Sequence, residues 1–338
     1  MGLGSNSALL ARIRGVSLLL NEQSVVSYLR HRGILNNDAT VEIFGGGVSS
    51  RVFGIQNHEV DLVLKQALPE LKSPITWPAD RRRSTIEARA IKTLHAITPK
   101  NVPQLMDVDP EEFTVTMTRS PREFLVWKSE LLDGNIQPEI GRELGRILAS
   151  WHNFGAENET MRSRFLEEKL FEQLRVWPFY RTVQERNPQF SGMISGMIDE
   201  ITKEKITIVH GDFSPKNILV TSGQEPIILD FEATNTGNPV FDLAFLLAHL
   251  VCKQVRTDSI EQKEMLRKTA IEFLDAYKNH CKIEVASNLK DHVALIALAR
   301  VEGVSLVNYL DSGKQEVVRS LTKRILSSPG ADALELFV

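Results

Sequence analysis

Only two cysteines occur in 338 residues, and that scarcity excludes a small secreted scaffold stapled by disulfides. Cys252 and Cys281 do not have metal-site spacing, so both read as buried free thiols. Positive charge is not in excess either: 40 Lys and Arg stand against 43 Asp and Glu, a formal net charge of −3. A general nucleic-acid binder needs a basic face, so that class is set aside. No apolar run approaches the ~18 residues of a membrane-spanning helix. The run at residues 18–20 is too short for a signal-peptide core and is followed by Asn21 and Glu22. The expectation is a globular protein of the reducing cytoplasm, without nucleic-acid or membrane partners. A chain of 338 residues exceeds the usual single core and favours two domains.

What is present centres on residues 206–230, which read ITIVHGDFSPKNILVTSGQEPIILD. Apolar Ile206, Ile208 and Val209 predict a strand running into His210-Gly211-Asp212. A polar loop containing Asn217 leads to a second apolar run at Ile218, Leu219 and Val220. Turn chemistry follows, and a third run at Ile227, Ile228 and Leu229 delivers Asp230. The hairpin so formed presents Asp212, Asn217 and Asp230 at one end. A carboxylate that can accept a hydroxyl proton, with an amide and a second carboxylate that can hold a hard cation, suits phosphoryl transfer from ATP. That reaction asks for positioning and Mg2+ more than for covalent chemistry.

Asp, Asn five residues on, and Asp-Phe after a short hairpin follow the order of a kinase catalytic loop and metal-binding Asp. The loop here reads His210-Gly211-Asp212 and not His-Arg-Asp, and the metal segment reads Asp230-Phe231-Glu232 and not Asp-Phe-Gly. With those departures the stretch resembles the aminoglycoside phosphotransferase and choline kinase-like superfamily of small-molecule kinases. An activation segment ending Ala-Pro-Glu is missing too, which argues against a protein kinase.

Upstream, Val25, Tyr28 and Leu29 have helical spacing, and residues 41–44 read as a strand entering Gly45-Gly46-Gly47-Val48-Ser49-Ser50-Arg51-Val52. Against the kinase loop Gly-x-Gly-x-x-Gly-x-Val, the first two glycines and the valine align, and Ser50 stands at the third glycine. Glycines there let backbone N–H groups approach phosphates, and Ser49 or Ser50 adds a hydroxyl donor. The alternative is a hairpin turn. A P-loop is excluded, since no Gly-Lys-Ser/Thr follows.

Two further strands, at residues 52–55 and 60–65, end on Lys65. A lysine so placed resembles the kinase strand lysine that reaches the α and β phosphates. Its alternative is an edge lysine reaching solvent. The next helix, opened by Pro78-Ala79-Asp80, sets Glu87 beside Ile86, Ala90 and Leu94. Glu87 then pairs with Lys65, or with Arg83 four residues earlier. Residues 65–91 also resemble the methylthioribose kinases, where Lys-Gln-Ala-Leu-Pro, Trp-Pro, then Arg and Glu on a helix occur in this order. The resemblance places Trp77-Pro78 near the nucleotide. It covers mainly residues 41–120, and the wider one roughly 25–300. One departure stands out: methylthioribose kinases generally lack an asparagine at the position of Asn217.

Residues 113–117 predict a strand, followed by the place where a kinase hinge passes the adenine; Met117 either flanks the base or packs in the core. From Gln137 the pattern is helical, with Ile140, Leu144, Ile147, Leu148, Trp151 and His152 on one stripe. His152 has no carboxylate nearby in sequence and reads as a satisfied core histidine. The loop-prone stretch RVWPFYR, with Arg175, Trp177, Tyr180 and Arg181, lines an acceptor pocket or packs two helices. His210 reads as support for its loop. Ser214 stands where protein kinases carry a lysine, and Lys216 touches phosphate or faces solvent. Asp242 braces the catalytic loop or caps the helix that follows. Residues 327–330 read as a loose end.

The fold expected is α+β, two-lobed and protein-kinase-like, with an antiparallel sheet in a small lobe over residues 1–118 and a mostly helical lobe over 119–338. The resemblance implies ATP and Mg2+ as cofactors. It assigns Gly45, Gly46, Gly47, Ser49, Ser50, Lys65 and Glu87 to the nucleotide, and Asp212 to catalysis. Asn217, Asp230 and Glu232 fall to the metal. The acceptor expected is a hydroxyl of a methylthioribose-like sugar, with an aminoglycoside or amino alcohol as the alternative. From another class comes a catalytically inactive kinase fold that binds nucleotide. A homodimer is the assembly expected.

Overall fold

The computed structural model describes residues 19–45, 49–71, 79–223 and 225–337. Among them no helix is long and apolar enough to cross a membrane. They divide into two compact units, one from Met1–Thr93 and Pro103–Ser120, the other from Leu94–Val102 and Pro121–Val338.

The first unit opens with α1 (Glu22–His31), which starts where the Asn21 side chain accepts the N–H groups of Gln23 and Ser24 at 3.0 and 2.9 Å. Then come β1 (Thr40–Phe44), β2 (Ser50–Gln56), β3 (Asp61–Ala67), α2 (Arg83–His95), β4 (Leu105–Asp109) and β5 (Thr114–Thr118). The strands form one antiparallel sheet in the order β1-β2-β3-β5-β4. Strand alternation in β3 buries Leu62 and Leu64 and turns Val63 and Lys65 to the other face. Val25 and Leu29 of α1 close the core over Phe53, Ile55 and Leu64. β5 begins one residue later than the sequence suggested. Phe113 has φ of 56°, in a turn where the Asp109 carboxylate accepts the N–H groups of Glu111 and Glu112.

The second unit is mostly helical. Besides short helical turns between residues 159 and 190, it begins with β6 (Leu125–Val126), α3 (Trp127–Asp133), α4 (Pro138–Glu157), α5 (Ser191–Lys203), β7 (Thr207–Val209), β8 (Ile218–Val220), β9 (Ile227–Ile228) and β10 (Asn235–Gly237). Four long helices follow: α6 (Val240–Arg256), α7 (Ile260–His280), α8 (Leu289–Glu302) and α9 (Ser312–Leu326). Leu144, Leu148, Trp151 and His152 of α4 are all buried, as their spacing predicted. Gly141 and Gly145 let α4 lie directly on α7, since a Cβ at either would stand 2.3 Å from the carbonyl oxygen of Thr269 or Phe273.

Three expectations need correction. The stretch at residues 172–181 is a π-helix and not a loop, with Pro178 inside it. The wider i→i+5 turn accommodates a residue that has no N–H to give an α-helical ladder. Residues 327–330 are tied down, because Ser327 and Ser328 donate to the last carbonyls of α9 and Ala333, Leu336 and Phe337 beyond them are buried. Cys252 is buried as expected, but Cys281, at the end of α7, is half-buried; both are free.

Candidate active site

The hairpin expected from residues 218–230 forms as its apolar runs require. Ile218 pairs with Ile228 and Leu219 with Ile227, and the Leu229 N–H donates to the Asn217 carbonyl at 2.8 Å. Asn217 and Asp230 therefore leave the hairpin at the same end. Asp230 itself has φ of 69°, a left-handed backbone that few non-glycine residues adopt and that clusters at functional sites. Gly211 has φ of 77°, and a Cβ there would meet the Ala233 carbonyl oxygen at 2.3 Å, so the loop closes only on glycine.

Asp242, in the first turn of α6, accepts the N–H groups of His210 and Gly211 at 2.6 and 2.9 Å. It thus braces the loop, while Pro239 holds the N-cap position. His152 stands behind it, 3.3 Å from Asp242 through Nε2 and 2.8 Å from the Tyr277 hydroxyl through Nδ1. The carboxylate partner that the local sequence lacked arrives from 90 residues away. His210 accepts the Asp212 N–H on Nδ1 at 3.1 Å, which leaves Nε2–H to donate to the Leu229 carbonyl at 3.2 Å. One neutral imidazole thereby links the loop to the hairpin. Burial pushes its pKa below the ordinary value, against the pull of Asp242, Asp212 and Asp230. Trp151, Phe213 and Phe231 surround the ring.

Asp212 is only 4% exposed, and its carboxylate lies 2.8 Å from Lys216 Nζ and 3.1 Å from an Arg175 guanidinium nitrogen. Arg175 also donates Nε–H to the Gly211 carbonyl, and the Ser214 hydroxyl donates to Asp212 at 3.4 Å. Burial alone would raise the Asp212 pKa, but Lys216 and Arg175 outweigh it and hold the carboxyl below its usual range. It is a fixed anion at neutral pH, suited to orienting a hydroxyl. Asn217 donates Nδ2–H to the Asp212 carbonyl at 3.0 Å. Its Oδ1 accepts no hydrogen bond from any described residue, which suits a hard cation that prefers oxygen ligands. Glu232, two residues after Asp230, is buried.

In the first unit, Lys65 Nζ lies 2.5 Å from the Glu87 carboxylate, with side-chain exposures of 12% and 3%. The predicted strand–helix ion pair is present. Arg83 donates to the carbonyls of Ser49, Leu68, Ala79 and Asp80, fastening the start of α2 to the edges of the loops beside it. Ser50 is buried as the first residue of β2, and Ser49 accepts the Leu68 N–H on its carbonyl. Gly45 is described, with open space where a Cβ would stand; Gly46, Gly47, Trp77 and Pro78 lie outside the described residues.

Sequence reasoning missed part of this arrangement. Lys216 is exposed, as one of its two readings had it, but its ammonium also pairs with Asp212, and the four-residue spacing was the signal for that. Within RVWPFYR, Arg175 joins the catalytic loop, Tyr180 is buried against His292 at 2.8 Å, and Arg181 pairs with Glu172. The unpredicted π-helical turns decide that division.

The sequence matches the phosphotransferase enzyme family over residues 40–277. Methylthioribose kinase of Bacillus cereus (strain ATCC 10987 / NRS 248) is 25% identical over 294 residues, covering 76% of this chain and 73% of that protein. Among solved structures, amicoumacin kinase in complex with AMP-PNP and Ca2+ is similar with a TM-score of 0.56 at 15% identity, covering 98% of this chain and 99% of that one. The macrolide 2′-phosphotransferase of Brachybacterium faecium gives 0.55 at 18% identity, covering 91% and 100%. The family match spans well over half of the chain. The protein belongs to the phosphotransferase enzyme family, with an α+β, protein-kinase-like fold, and is a small-molecule kinase.

Proposed function

We propose that this enzyme moves the γ-phosphoryl of ATP to a hydroxyl of a small, sugar-like molecule, with Mg2+ as the metal. The observation that carries the reading is Asp212: buried, ionised, and held by Lys216 and Arg175 on a loop that Asp242 braces. A carboxylate fixed in that way sets the angle of the attacking hydroxyl and takes its proton as the bond to phosphorus forms. Asn217, Asp230 and Glu232 would hold Mg2+, which screens phosphate charge when bound. Lys65, steadied by Glu87, would meet the nucleotide phosphates as a point charge. A sugar acceptor is the class that the methylthioribose kinase likeness favours, and use of ATP fits a cytoplasmic enzyme. The inactive-module reading is disfavoured because Lys65–Glu87 and the Asp212–Lys216 pair are both formed.

The test is coupled ADP release with Mg-ATP against pentoses, methylthioribose, amino alcohols and aminoglycosides. Asp212→Asn should lower acceptor-stimulated turnover by about 10²–10⁴-fold while Mg-ATP binding persists. Full turnover in that variant would refute the role of Asp212.

A further inference from the structure

A second group of charges in the same unit touches the scheme above only through Lys216. A narrow pocket of about 60 Å³ is lined by Lys128, Lys216, His249, Lys253, Arg300 and Tyr309. That is room for about two water molecules, each of whose share is ~30 Å³, or for one small charged head group. Its cations come from separate elements: Lys128 from α3, Lys216 from the catalytic loop, Lys253 from α6 and Arg300 from α8.

No carboxylate lines it. Lys128, Lys253 and Arg300 form no ion pair with any described residue, and the Lys216 ammonium is the one already bound to Asp212. Lys253 is 2% exposed, and its ammonium meets only the His249 carbonyl, at 3.4 Å. Arg300 donates to the Ser305 hydroxyl at 2.7 Å, yet its buried Nε has no hydrogen-bond partner among the described residues; nor has the buried Tyr309 hydroxyl. The Tyr309 ring faces the ammonium groups of Lys253 at 5.3 Å and Lys128 at 5.7 Å. His249 is no counter-charge, since burial and the surrounding cations push its pKa well below the ordinary value.

Buried charges in proteins are normally paired, because desolvation without a partner is strongly unfavourable. Here the buried Lys253, the partly buried Lys128 and Arg300, the exposed Lys216 and a phenol converge on a space that no anion of the described residues enters. Lys216 ties that space to the reaction, reaching Asp212 from its wall.

We propose that the pocket binds an anionic group, carboxylate or phosphate, of the acceptor whose hydroxyl Asp212 orients, so that the substrate is an acidic, hydroxylated small molecule. This rests on the phosphotransfer reading of Asp212. Aminoglycosides and amino alcohols, being cations, are repelled from such a pocket.

The test is calorimetric titration of the enzyme, held saturated with Mg-AMP-PNP, by inorganic phosphate, D-ribonate, ribose 5-phosphate and D-ribose. At least one of the two sugar anions should bind about ten-fold more tightly than ribose, which corresponds to ~1.4 kcal/mol. Arg300→Gln and the less buried Lys128→Gln should each cut that anion-to-neutral ratio about three-fold or more, three-fold being near the lower end of the range for a lost hydrogen bond. Ribonate and ribose 5-phosphate separate carboxylate from phosphate recognition. No binding of any anion at millimolar concentration overturns the proposal, as does an unchanged ratio in both variants. A loss confined to Mg-AMP-PNP affinity also overturns it, since the anion recognised would then be the nucleotide's. ADP release distinguishes the two readings. Release without anion selectivity removes the pocket's role and leaves the kinase reading. Anion binding with no acceptor-stimulated release removes the kinase reading, and with it the assignment of the anion to an acceptor.

Discussion

Lys65 and Lys253 are both withdrawn from water, and they are satisfied in opposite ways. Lys65 ends a run of alternating residues on β3 and closes on Glu87 at 2.5 Å. Lys253 sits inside α6 with a weak backbone contact at 3.4 Å, among Lys128, Lys216, Arg256 and Arg300, with His249, Cys252 and Tyr309 as its uncharged neighbours. Lys65 is a finished ion pair that fixes a strand to a helix. Below about pH 7 Lys253 is an open charge, destabilising to the chain that carries it, and an open charge is kept where a ligand supplies the missing partner. A buried cation is therefore informative about binding only when its counter-ion is absent.

The difference is sharpest in what removal does. Glu87→Ala should destabilise the first unit by about 3–5 kcal/mol, because it removes one partner of an ion pair that is largely withdrawn from water. Urea unfolding measures this, and a loss under ~1 kcal/mol would mean that the pair behaves as a surface contact. Lys253→Met should act with the opposite sign, stabilising by about 1–4 kcal/mol as a buried charge gives way to an apolar side chain of similar length. Destabilisation by that variant would erase the contrast between the two lysines.

A smaller effect lies in pH. Burial pushes the Lys253 ammonium down to about 7 from the ordinary 10.5, with Lys128, Arg300 and Arg256 adding to the push and Cys252 opposing it. Between those values the unfolded chain holds a proton that the folded chain has released, so stability from this group rises with pH. The penalty is fully present below about 7 and fades toward 10.5. The advantage of Lys253→Met should accordingly be largest near pH 6 and shrink by pH 9, as paired urea titrations would show. A gap that widened with pH would place the Lys253 pKa above its ordinary value.

Much of the geometry of the candidate site was legible from the chain, and for a local reason. Asp212, Asn217 and Asp230 fall within one strand–loop–hairpin segment, whose apolar runs admit few pairings. Lys65 and Glu87 were readable because strand and helix periodicities place each at the border of an apolar face. RVWPFYR was not, since Pro178 reads as a helix breaker and only a π-turn supported by packing makes room for it. Arg175 was lost with it, because the direction of its side chain depends on that backbone.

The amino-acid order by itself determined four of the five strands of the first unit's sheet, all but β4, together with the hairpin that carries Asn217 and Asp230 and the chemistry that its oxygen-bearing residues can perform. Those features depend on contacts within short stretches and on the period of burial, which are written along the chain. The packing of α3, α6 and α8 decided what only three dimensions can decide: that Lys128, Lys253 and Arg300, ordinary cations in separate helices, meet around one small space beside Asp212. Charge acts through distance and dielectric. Neither is set until the helices have packed.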